Sequence, residues 1–349
     1  MSPSPERTPE PRRTAAFRCE SLAAEARLPR EACLEDALAA LAKTASPLLL
    51  VGDRPVAAMD LRRAHHRGAD HRSAVDAADE ELTADSEDEA RERLAADPGL
   101  PGLILGAAGG EPRLVARAIE PIRCAIVMAG GLGSRLRPLT DHTPKPLLEV
   151  GGDVLLFRIL RSLAAHGVER VSISVRHMGD QIKRAVDDGT HFGLEASYLE
   201  EDDPLGTGAG LALLGSIDEP FFVVNGDLLT EANYGALARF HRESGRLATI
   251  STHVHEMDCP YGVVRAEGGE VSRIEEKPLL RHPINAGIYA FSPGVLEFVR
   301  HGERLEMVDF LNDTLAPRGE LGEFPLVEYW NDVGTPMSFE RAQIEASRL

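Results

Sequence analysis

The chain has 349 residues, of which 43% are hydrophobic and 27% are charged, and its formal net charge at pH 7 is −18. These proportions are ordinary for a soluble globular protein, and the length accommodates two domains. Such an acidic chain is a poor general ligand for nucleic-acid phosphates, so we expect no nucleic-acid partner. We also expect no membrane partner, because no apolar run approaches the roughly 18 residues that span a bilayer.

The cysteines and the first residues bear on the cellular compartment. Cys19, Cys33, Cys124 and Cys259 are scattered without Cys-x-x-Cys spacing, which predicts neither a disulfide framework nor a zinc site. Residues 1–15 are rich in proline and charge and contain no apolar core, so they are predicted to form a disordered tail and not a secretory signal. A cytoplasmic location is the expectation.

The segment that follows begins with a helix–strand–turn–strand pattern. Apolar residues recur at helical spacing from Leu34 to Ala42, and the apolar segments 47–51 and 55–59 flank a hairpin turn at 52–54. Another helix is predicted to begin with Asp60 as its N-cap.

A second copy of the pattern comes next. Acidic helical sequence at 86–96 precedes strand-like segments at 102–106 and 113–116, which are joined by a turn at Gly109-Gly110. Two such units in tandem predict a small internal repeat over residues 16–120.

This repeat resembles a degenerate pair of cystathionine-β-synthase (CBS) modules, a small α+β domain. In such modules the second strand usually leads to a Thr-x-x-Asp that binds the ribose of an adenosine nucleotide. Asp60 stands at the aspartate position, but Ala57 replaces the threonine, and the second copy has neither residue. The comparison therefore favours a structural or interface role over adenylate sensing.

A glycine-rich segment near the middle of the chain is its most informative feature. The apolar run Cys124–Met128 predicts a buried strand that leads into Gly130-Gly131-Leu132-Gly133, and Arg135 and Pro144-Lys145-Pro146 follow. Glycines let backbone N–H groups surround a polyphosphate, and the cations add fixed positive charge. The segment lacks the third glycine of the dinucleotide fingerprint and the Gly-Lys-Ser/Thr of a P-loop. It therefore predicts a different kind of nucleoside triphosphate site.

From residue 121 onward, strand-like and helix-like segments alternate. This alternation predicts an α/β domain over 121–349 with a largely parallel sheet, whose ligands collect at the carboxyl ends of the strands. Further strands are predicted at 168–175, 194–199, 221–225 and 248–253, and helices at 181–186, 208–214, 237–244 and 337–347.

Residues 121–349 resemble the sugar-1-phosphate nucleotidyltransferases, also called nucleotide-sugar pyrophosphorylases. The resemblance implies a Rossmann-like, GT-A-like fold with a mixed, mostly parallel sheet flanked by helices. The segments that carry it, in the family's order, are 130–137 with 144–146, Pro204-Leu205-Gly206-Thr207, Asn225-Gly226-Asp227, Glu275-Glu276-Lys277-Pro278, Asn285-Ala286-Gly287-Ile288-Tyr289 and 330–336.

The family's reaction gives these residues their expected roles. A sugar 1-phosphate attacks the α-phosphorus of a nucleoside triphosphate, and pyrophosphate leaves in line, so the protein mainly positions groups and neutralises charge. Asp227 and Asp332 offer hard oxygen ligands for Mg²⁺. Lys145 is expected to stabilise charge at the α-phosphate, Arg135 to hold pyrophosphate, and Lys277 to anchor the sugar phosphate.

The remaining expected contacts divide between the two substrates, and the resemblance also implies a homo-oligomer. Nucleotide contacts are expected from Ala129, Gly130, Gly131, Gly133, Ser134, Glu201, Gly206 and Thr207, and sugar-phosphate contacts from Gly262, Glu275, Lys277 and Asn285.

Two questions stay open at this point. The segment Gly208-Ala209-Gly210 departs from the family's usual Ala-Gly-Ala, so the base is not determined, although the CBS-like region ahead of a short transferase favours GTP or UTP. The alternative function is a catalytically inactive relative that binds nucleotide sugars and regulates. The presence of Asp227, Asp332 and Lys145 favours the enzyme.

Overall fold

A computed structural model describes residues 17–29, 32–51, 54–67, 82–97, 100–106 and 111–349. The predicted disordered tail at 1–15 and the predicted turns at Gly52-Asp53 and Gly109-Gly110 lie outside these residues. The chain divides into two compact units. Of the described residues, the first unit holds those within 17–40, 46–61 and 82–120, and the second holds 41–45, 62–67 and 121–349.

The described residues before Pro121 form short helices and two small sheets, ordered β1-β7-β6-β5 and β2-β3-β4. Each predicted copy contains a helix followed by two antiparallel strands. The resemblance to a CBS pair stays a prediction. The elements are β1 (Phe17–Ser21), β2 (Arg27–Leu28), α1 (Leu34–Lys43), β3 (Leu48–Val51), β4 (Arg54–Ala57), α2 (Ala58–His66), β5 (Thr83–Ala84), α3 (Glu87–Ala96), β6 (Leu103–Leu105) and β7 (Arg113–Arg117).

One of two helix starts in this region has a side-chain cap at the residue that the sequence suggests. Ser86 caps α3, since its side chain accepts a hydrogen bond from the Glu89 N–H at 3.2 Å. The predicted N-cap at Asp60 is wrong, because α2 begins at Ala58 directly after β4. Asp60 instead lies in the first turn of α2, where its negative charge interacts favourably with the positive end of the helix dipole.

The second unit is built on a seven-stranded sheet of order β12-β11-β8-β13-β18-β15-β19. Only β18 runs antiparallel to its neighbours, so the predicted mixed, mostly parallel sheet with helices is confirmed. Its elements are β8 (Cys124–Met128), β9 (Glu149–Val150), β10 (Asp153–Val154), α4 (Leu155–Ala165), β11 (Arg170–Val175), α5 (Gly179–Val186), β12 (Glu195–Glu200), α6 (Ala209–Leu213), β13 (Phe221–Asn225), β14 (Leu228–Thr230), α7 (Tyr234–Ser244), β15 (Ala248–Asp258), β16 (Val263–Glu267), β17 (Glu270–Glu275), β18 (Leu279–Phe291), α8 (Met307–Phe310), β19 (Leu321–Pro325), β20 (Trp330–Asp332) and α9 (Pro336–Glu345).

The central strands of this sheet are buried on both faces. Phe221 to Val224 of β13 are all buried, as expected for a strand covered by helices on either side. The Phe221 and Phe291 rings meet in the core with centroids 5.8 Å apart. Packing in this core fixes the positions of the strand ends at which the candidate site lies.

Strand register brings several loops to one edge of the sheet. Met128 at the end of β8 is opposite both Ser174 of β11 and Asn225 of β13. The antiparallel strand β18 pairs with β13 on its other side, through Ile288 and Val224. A separate two-stranded pair, β14 with β20, sets Leu228 opposite Asp332. Side chains far apart in the chain therefore meet here.

A buried ion pair lies within the second unit. The guanidinium of Arg62 donates to the Glu328 carboxylate at 2.6 and 3.0 Å and to the Pro325 carbonyl at 3.0 Å. Arg62 is 1% exposed and Glu328 2% exposed. The guanidinium also lies 4.7 Å from the centre of the Phe324 ring. Glu328 lies two residues before the start of β20.

Among the described residues, no helix combines the length and apolar character needed to cross a bilayer.

Candidate active site

A cavity of about 440 Å³ opens at the carboxyl edge of the parallel strands, within the second unit. Its size is in the range of small-molecule sites. The predicted site residues that line it are Ala129, Gly130, Gly131, Lys145, Glu201, Gly206, Thr207, Asp227 and Asn285.

Lys145 stands between the two predicted metal aspartates. The Lys145 Nζ donates a short hydrogen bond to Asp227 Oδ2 and lies 3.6 Å from Asp332 Oδ1. Lys145 is 8% exposed, and a short 3₁₀ turn with Pro146 fixes its backbone. A buried ammonium needs such partners, so the three charges form one coupled group.

The electrostatics of Asp332 follow from this arrangement. Burial first, and then the neighbouring Asp227 carboxylate, raise the pKa of Asp332 above its usual value. The positive charges of Lys145 and Arg135 oppose part of that shift. Because both carboxylates lie beside the same ammonium group, they favour the binding of a further cation.

The glycines of the loop after β8 differ in what surrounds them. A Cβ on Gly130 would lie 2.6 Å from Glu201 Oε1, so this glycine lets the carboxylate approach the loop. Gly131 has no atom within 4 Å of the corresponding point and faces open space. Of these two glycines, only Gly131 therefore has open space beside its Cα atom.

The next residues of the loop support the site from outside the cavity. Gly133 has a φ of +63°, and a Cβ there would lie 3.2 Å from Lys145 Cβ and still closer to Thr140. Ser134 and Arg135 begin a 3₁₀ turn and are exposed. Arg135 is close enough to Asp332 for its charge to act on that carboxyl.

Glu201 follows β12 and is held in a fixed orientation. Its Oε1 accepts a hydrogen bond from Ser174 Oγ at 2.8 Å, and its Oε2 is 3.4 Å from the Leu205 backbone nitrogen. Ser174 is fully buried in β11. The carboxylate therefore faces the cavity as a preorganised hydrogen-bond acceptor.

Asn285 lies on the opposite side of the cavity, in β18. Its amide nitrogen donates to Tyr289 Oη at 2.7 Å, and its amide oxygen accepts from the Gly287 N–H at 2.9 Å. Gly287 has a φ of +68°, and the Asn225 side chain occupies the place of its absent Cβ. These contacts fix the wall that the sequence assigns to the sugar.

The other predicted sugar-phosphate residues do not line the cavity. Gly262, Glu275 and Lys277 lie in and beside the β16–β17 hairpin. Glu275 forms ion pairs with Arg265 and Arg273 of the same hairpin. Lys277 is exposed and has a φ of +44°, which is unusual for a residue other than glycine.

Comparisons with known proteins agree with this geometry. Residues 124–348 match the family model described as nucleotidyl transferase. The chain belongs to this nucleotidyl transferase family. The mannose-1-phosphate guanylyltransferase catalytic subunit beta of Xenopus tropicalis is 34% identical over 225 residues, which is 62% of this chain and 62% of that protein. A mannose-1-phosphate guanyltransferase of Aspergillus fumigatus is 35% identical over 226 residues, again 62% of each chain.

A solved structure supports the fold of the matched region. A putative glucose-1-phosphate thymidylyltransferase from Bacillus anthracis, solved in complex with a sucrose, aligns with a TM-score of 0.53 and 26% identity, over 64% of this chain and 95% of that chain. The matched region lies within the second unit, and the match does not include residues 1–123.

Several cavity residues of this nucleotidyl transferase chain were not predicted as site residues. Arg176 follows β11 at the same sheet edge as Glu201, a position that the strand prediction could have marked. Glu306 gives no such signal, because it follows an irregular segment and belongs to no recognised motif. The full set is Met128, Pro146, Arg176, Pro204, Asn225, Tyr289, Glu306, Met307 and Val308.

The donor set limits how a metal could be held. Within the described parts of the chain, no three His, Cys, Asp or Glu side chains form a metal-binding cluster. Asp227 and Asp332 remain as a pair of carboxylates that share Lys145. Magnesium is commonly bound by one or two carboxylates together with substrate phosphates, and this pair fits that pattern.

Proposed function

We propose that the chain transfers a nucleotidyl group from a nucleoside triphosphate to a sugar 1-phosphate and releases pyrophosphate. The observation that carries the proposal is the Lys145 ammonium between Asp227 and Asp332, next to the cavity-lining Gly130-Gly131 loop. The named relatives of the matched region are enzymes of this class. An inactive regulatory relative is less well supported, because Lys145, Asp227 and Asp332 are all present and Lys145 contacts both aspartates.

The residues have distinct tasks in this reaction. The phosphate oxygen of the sugar 1-phosphate forms a bond to the α-phosphorus while the bond to pyrophosphate breaks. Lys145 stabilises negative charge at the α-phosphate, and Arg135, exposed at the loop, holds the departing pyrophosphate. Asp227 and Asp332 would hold Mg²⁺, which would supply positive charge that offsets the negative charge of the phosphates.

We further propose GTP as the triphosphate and a hexose 1-phosphate as the acceptor. The relatives named above are mannose-1-phosphate guanylyltransferases. Glu201 adds a chemical reason, because a carboxylate is an acceptor-only group. The pairing edge of guanine presents two adjacent donors, N1–H and the 2-amino group, whereas uracil presents one donor between two acceptors. UTP is the second choice.

The test is a pyrophosphate-release screen of four nucleoside triphosphates against a panel of sugar 1-phosphates, with Mg²⁺ present. We expect one triphosphate and one sugar class to dominate. Asp227→Asn and Lys145→Ala should each lower kcat/KM by at least about 100-fold, the size seen when a charge-stabilising group is removed. Asp313→Asn, an exposed control, should retain full activity.

Circular dichroism should show that both site variants remain folded. The proposal is wrong if no pair of substrates releases pyrophosphate, or if either site variant turns over normally.

A further inference from the structure

The loop at residues 205–208, which lines the cavity, is held by a distant part of the chain. Leu305 N–H donates to the Leu205 carbonyl at 2.7 Å, and Gly208 N–H donates to the Leu305 carbonyl at 2.8 Å. The two segments, 205–208 and 305–307, are about 100 residues apart in sequence and both line the cavity. The loop conformation therefore depends on segment 305–307.

Both hydrogen-bond donors of Thr207 are occupied by contacts within the protein. Its backbone N–H donates to Glu306 Oε2 at 3.1 Å, and its hydroxyl donates to the same oxygen at 3.0 Å. The hydroxyl oxygen also accepts from the Met307 N–H at 2.9 Å. A threonine has one side-chain donor, so neither donor of Thr207 remains for a ligand.

Glu306 is the group that organises this arrangement. Its Oε2 receives both Thr207 donors, and its Oε1 receives the Arg304 guanidinium at 2.7 Å. These contacts, the Thr207 N–H first, lower the pKa of Glu306 and so favour its charged form.

The same contact explains the glycine at position 206. Gly206 has a φ of +90°, and a Cβ there would lie 2.6 Å from the Leu305 carbonyl and 2.9 Å from Glu306 Oε1. Only glycine can pass beside this segment so closely. The glycine, the threonine and the glutamate are therefore three parts of one clamp.

We infer that Glu306 is a positioning residue for the nucleotide: its carboxylate fixes Thr207, and thereby the backbone of 205–208, in the conformation that receives the triphosphate. Thr207 then acts through the shape of the loop and not through a hydrogen bond of its own donors to the ligand. This inference rests on the proposed function for the identity of the ligand. It assigns no role to Glu306 in the bond-making step.

The test compares Glu306→Ala with Glu306→Gln in the full chain. Alanine removes the acceptor, so we expect KM for GTP to rise about tenfold, the effect of losing a hydrogen bond to a charged group, while kcat and the KM for the sugar phosphate change less than twofold. Glutamine keeps an acceptor oxygen for Thr207 and should restore most of the loss. Glu303→Gln, an exposed change in the same segment that alters only a surface ion pair with Arg300, is the matched control.

A double-variant cycle isolates the contact. Thr207→Val should raise KM for GTP as Glu306→Ala does, and the combined variant should be no worse than the more affected single variant. Additive effects would overturn the inference. So would a rise confined to the KM of the sugar phosphate, which would indicate direct contact with the sugar.

Binding of GTP alone, measured by calorimetry in the absence of sugar phosphate, separates the two proposals. Weaker GTP binding in Glu306→Ala with rescue in Glu306→Gln supports the clamp even if no transfer reaction is found. Equal GTP affinity in the wild type and in both variants rejects the clamp even if the transferase activity is present.

Discussion

The Glu201 carboxylate is fixed before any ligand arrives. The buried Ser174 hydroxyl holds one oxygen, and the missing Cβ of Gly130 leaves room for it. Because the orientation is built into β11 and the glycine loop, the cost of ordering this side chain is met on folding and not on binding. A group preorganised in this way is suited to selecting among similar bases.

This gives a prediction on base selectivity. If Glu201 accepts from the guanine 2-amino group, the wild type should prefer GTP over ITP, which lacks that group, by about tenfold in kcat/KM. Glu201→Gln should reduce the preference to near unity, because an amide oxygen is a weaker acceptor. The measurement is pyrophosphate release with each triphosphate. Glu200→Gln, which only alters an exposed ion pair with Lys183, should leave the ratio unchanged. An unaltered ratio in Glu201→Gln would contradict the assignment.

At the scale of single residues, the sequence singled out three charged residues that the structure brings together, but it also singled out Glu275 and Lys277, which do not line the cavity. Lys145, Asp227 and Asp332 stand in short motifs with glycine or proline neighbours, and the structure brings them together. Ser174 and Glu306 carry no motif, because their importance comes from contacts made across the fold. Such pairings depend on tertiary structure, which local sequence does not encode.

Among the elements, strand β18 departs most from a simple alternation of parallel strands and helices, because it runs antiparallel to both neighbours. Its residues Leu279–Phe291 pair with both β13 and β15, and Asn285 lies at the site along it. The sequence predicted β8, β11, β12 and β13 within about two residues, since their apolar runs are unambiguous. It placed the end of β15 at residue 253 and not at Asp258, and it predicted neither β18 nor β19 as a strand. The β16–β17 hairpin was not predicted, because Val264 and Ile274 are exposed and alternate with charged residues. Asn233, which caps α7, would have corrected the start of that helix from 237 to 234.

Helix α7 is tied to the sheet by a buried histidine, which predicts an acid-sensitive stability. His241 hydrogen-bonds Thr249 of β15 and Ser292 just after β18, and burial lowers its pKa to about 4. An unfolded chain protonates this histidine near pH 6.5, so between pH 6.5 and 4 the unfolded state binds more protons and stability falls as the pH falls. We expect about 2 to 3 kcal/mol to be lost from this residue between pH 7.5 and 4.5.

Urea denaturation at the two pH values checks this prediction. His241→Gln can keep both hydrogen bonds without titrating, so the difference in unfolding free energy between the two pH values should shrink by about that amount. The exposed variant His301→Gln should retain the wild-type difference. If His241→Gln keeps it as well, another group accounts for the acid sensitivity.

For the whole molecule, the second unit is not a continuous piece of sequence. Residues 41–45 and 62–67 belong to it together with 121–349, and Arg62 supplies the only described positive charge in contact with the buried Glu328 carboxylate. The family match begins at residue 124, so this contribution lies outside the matched region.

Removing Arg62 alone should therefore be costly. Arg62→Met leaves the Glu328 charge buried without its partner and should lower the free energy of unfolding by about 3 to 5 kcal/mol. Arg62→Met combined with Glu328→Leu replaces the pair by apolar groups of similar size and should recover most of the loss. Thermal and urea denaturation of the full-length variants provide the comparison. A loss that the double variant fails to recover would show that the pairing is not the source.

The β14–β20 pairing has a consequence for the order of events during synthesis. Thr230 of β14 hydrogen-bonds Tyr329, directly before β20 and 99 residues away, and Asp332 emerges from the ribosome after every other predicted site residue. Long-range closures of this kind are slow steps in folding. Before residue 332 is synthesised, Asp227 is the only one of the two predicted metal carboxylates that Lys145 can contact. Under the proposed mechanism, catalytic competence is then acquired in one late step and not gradually.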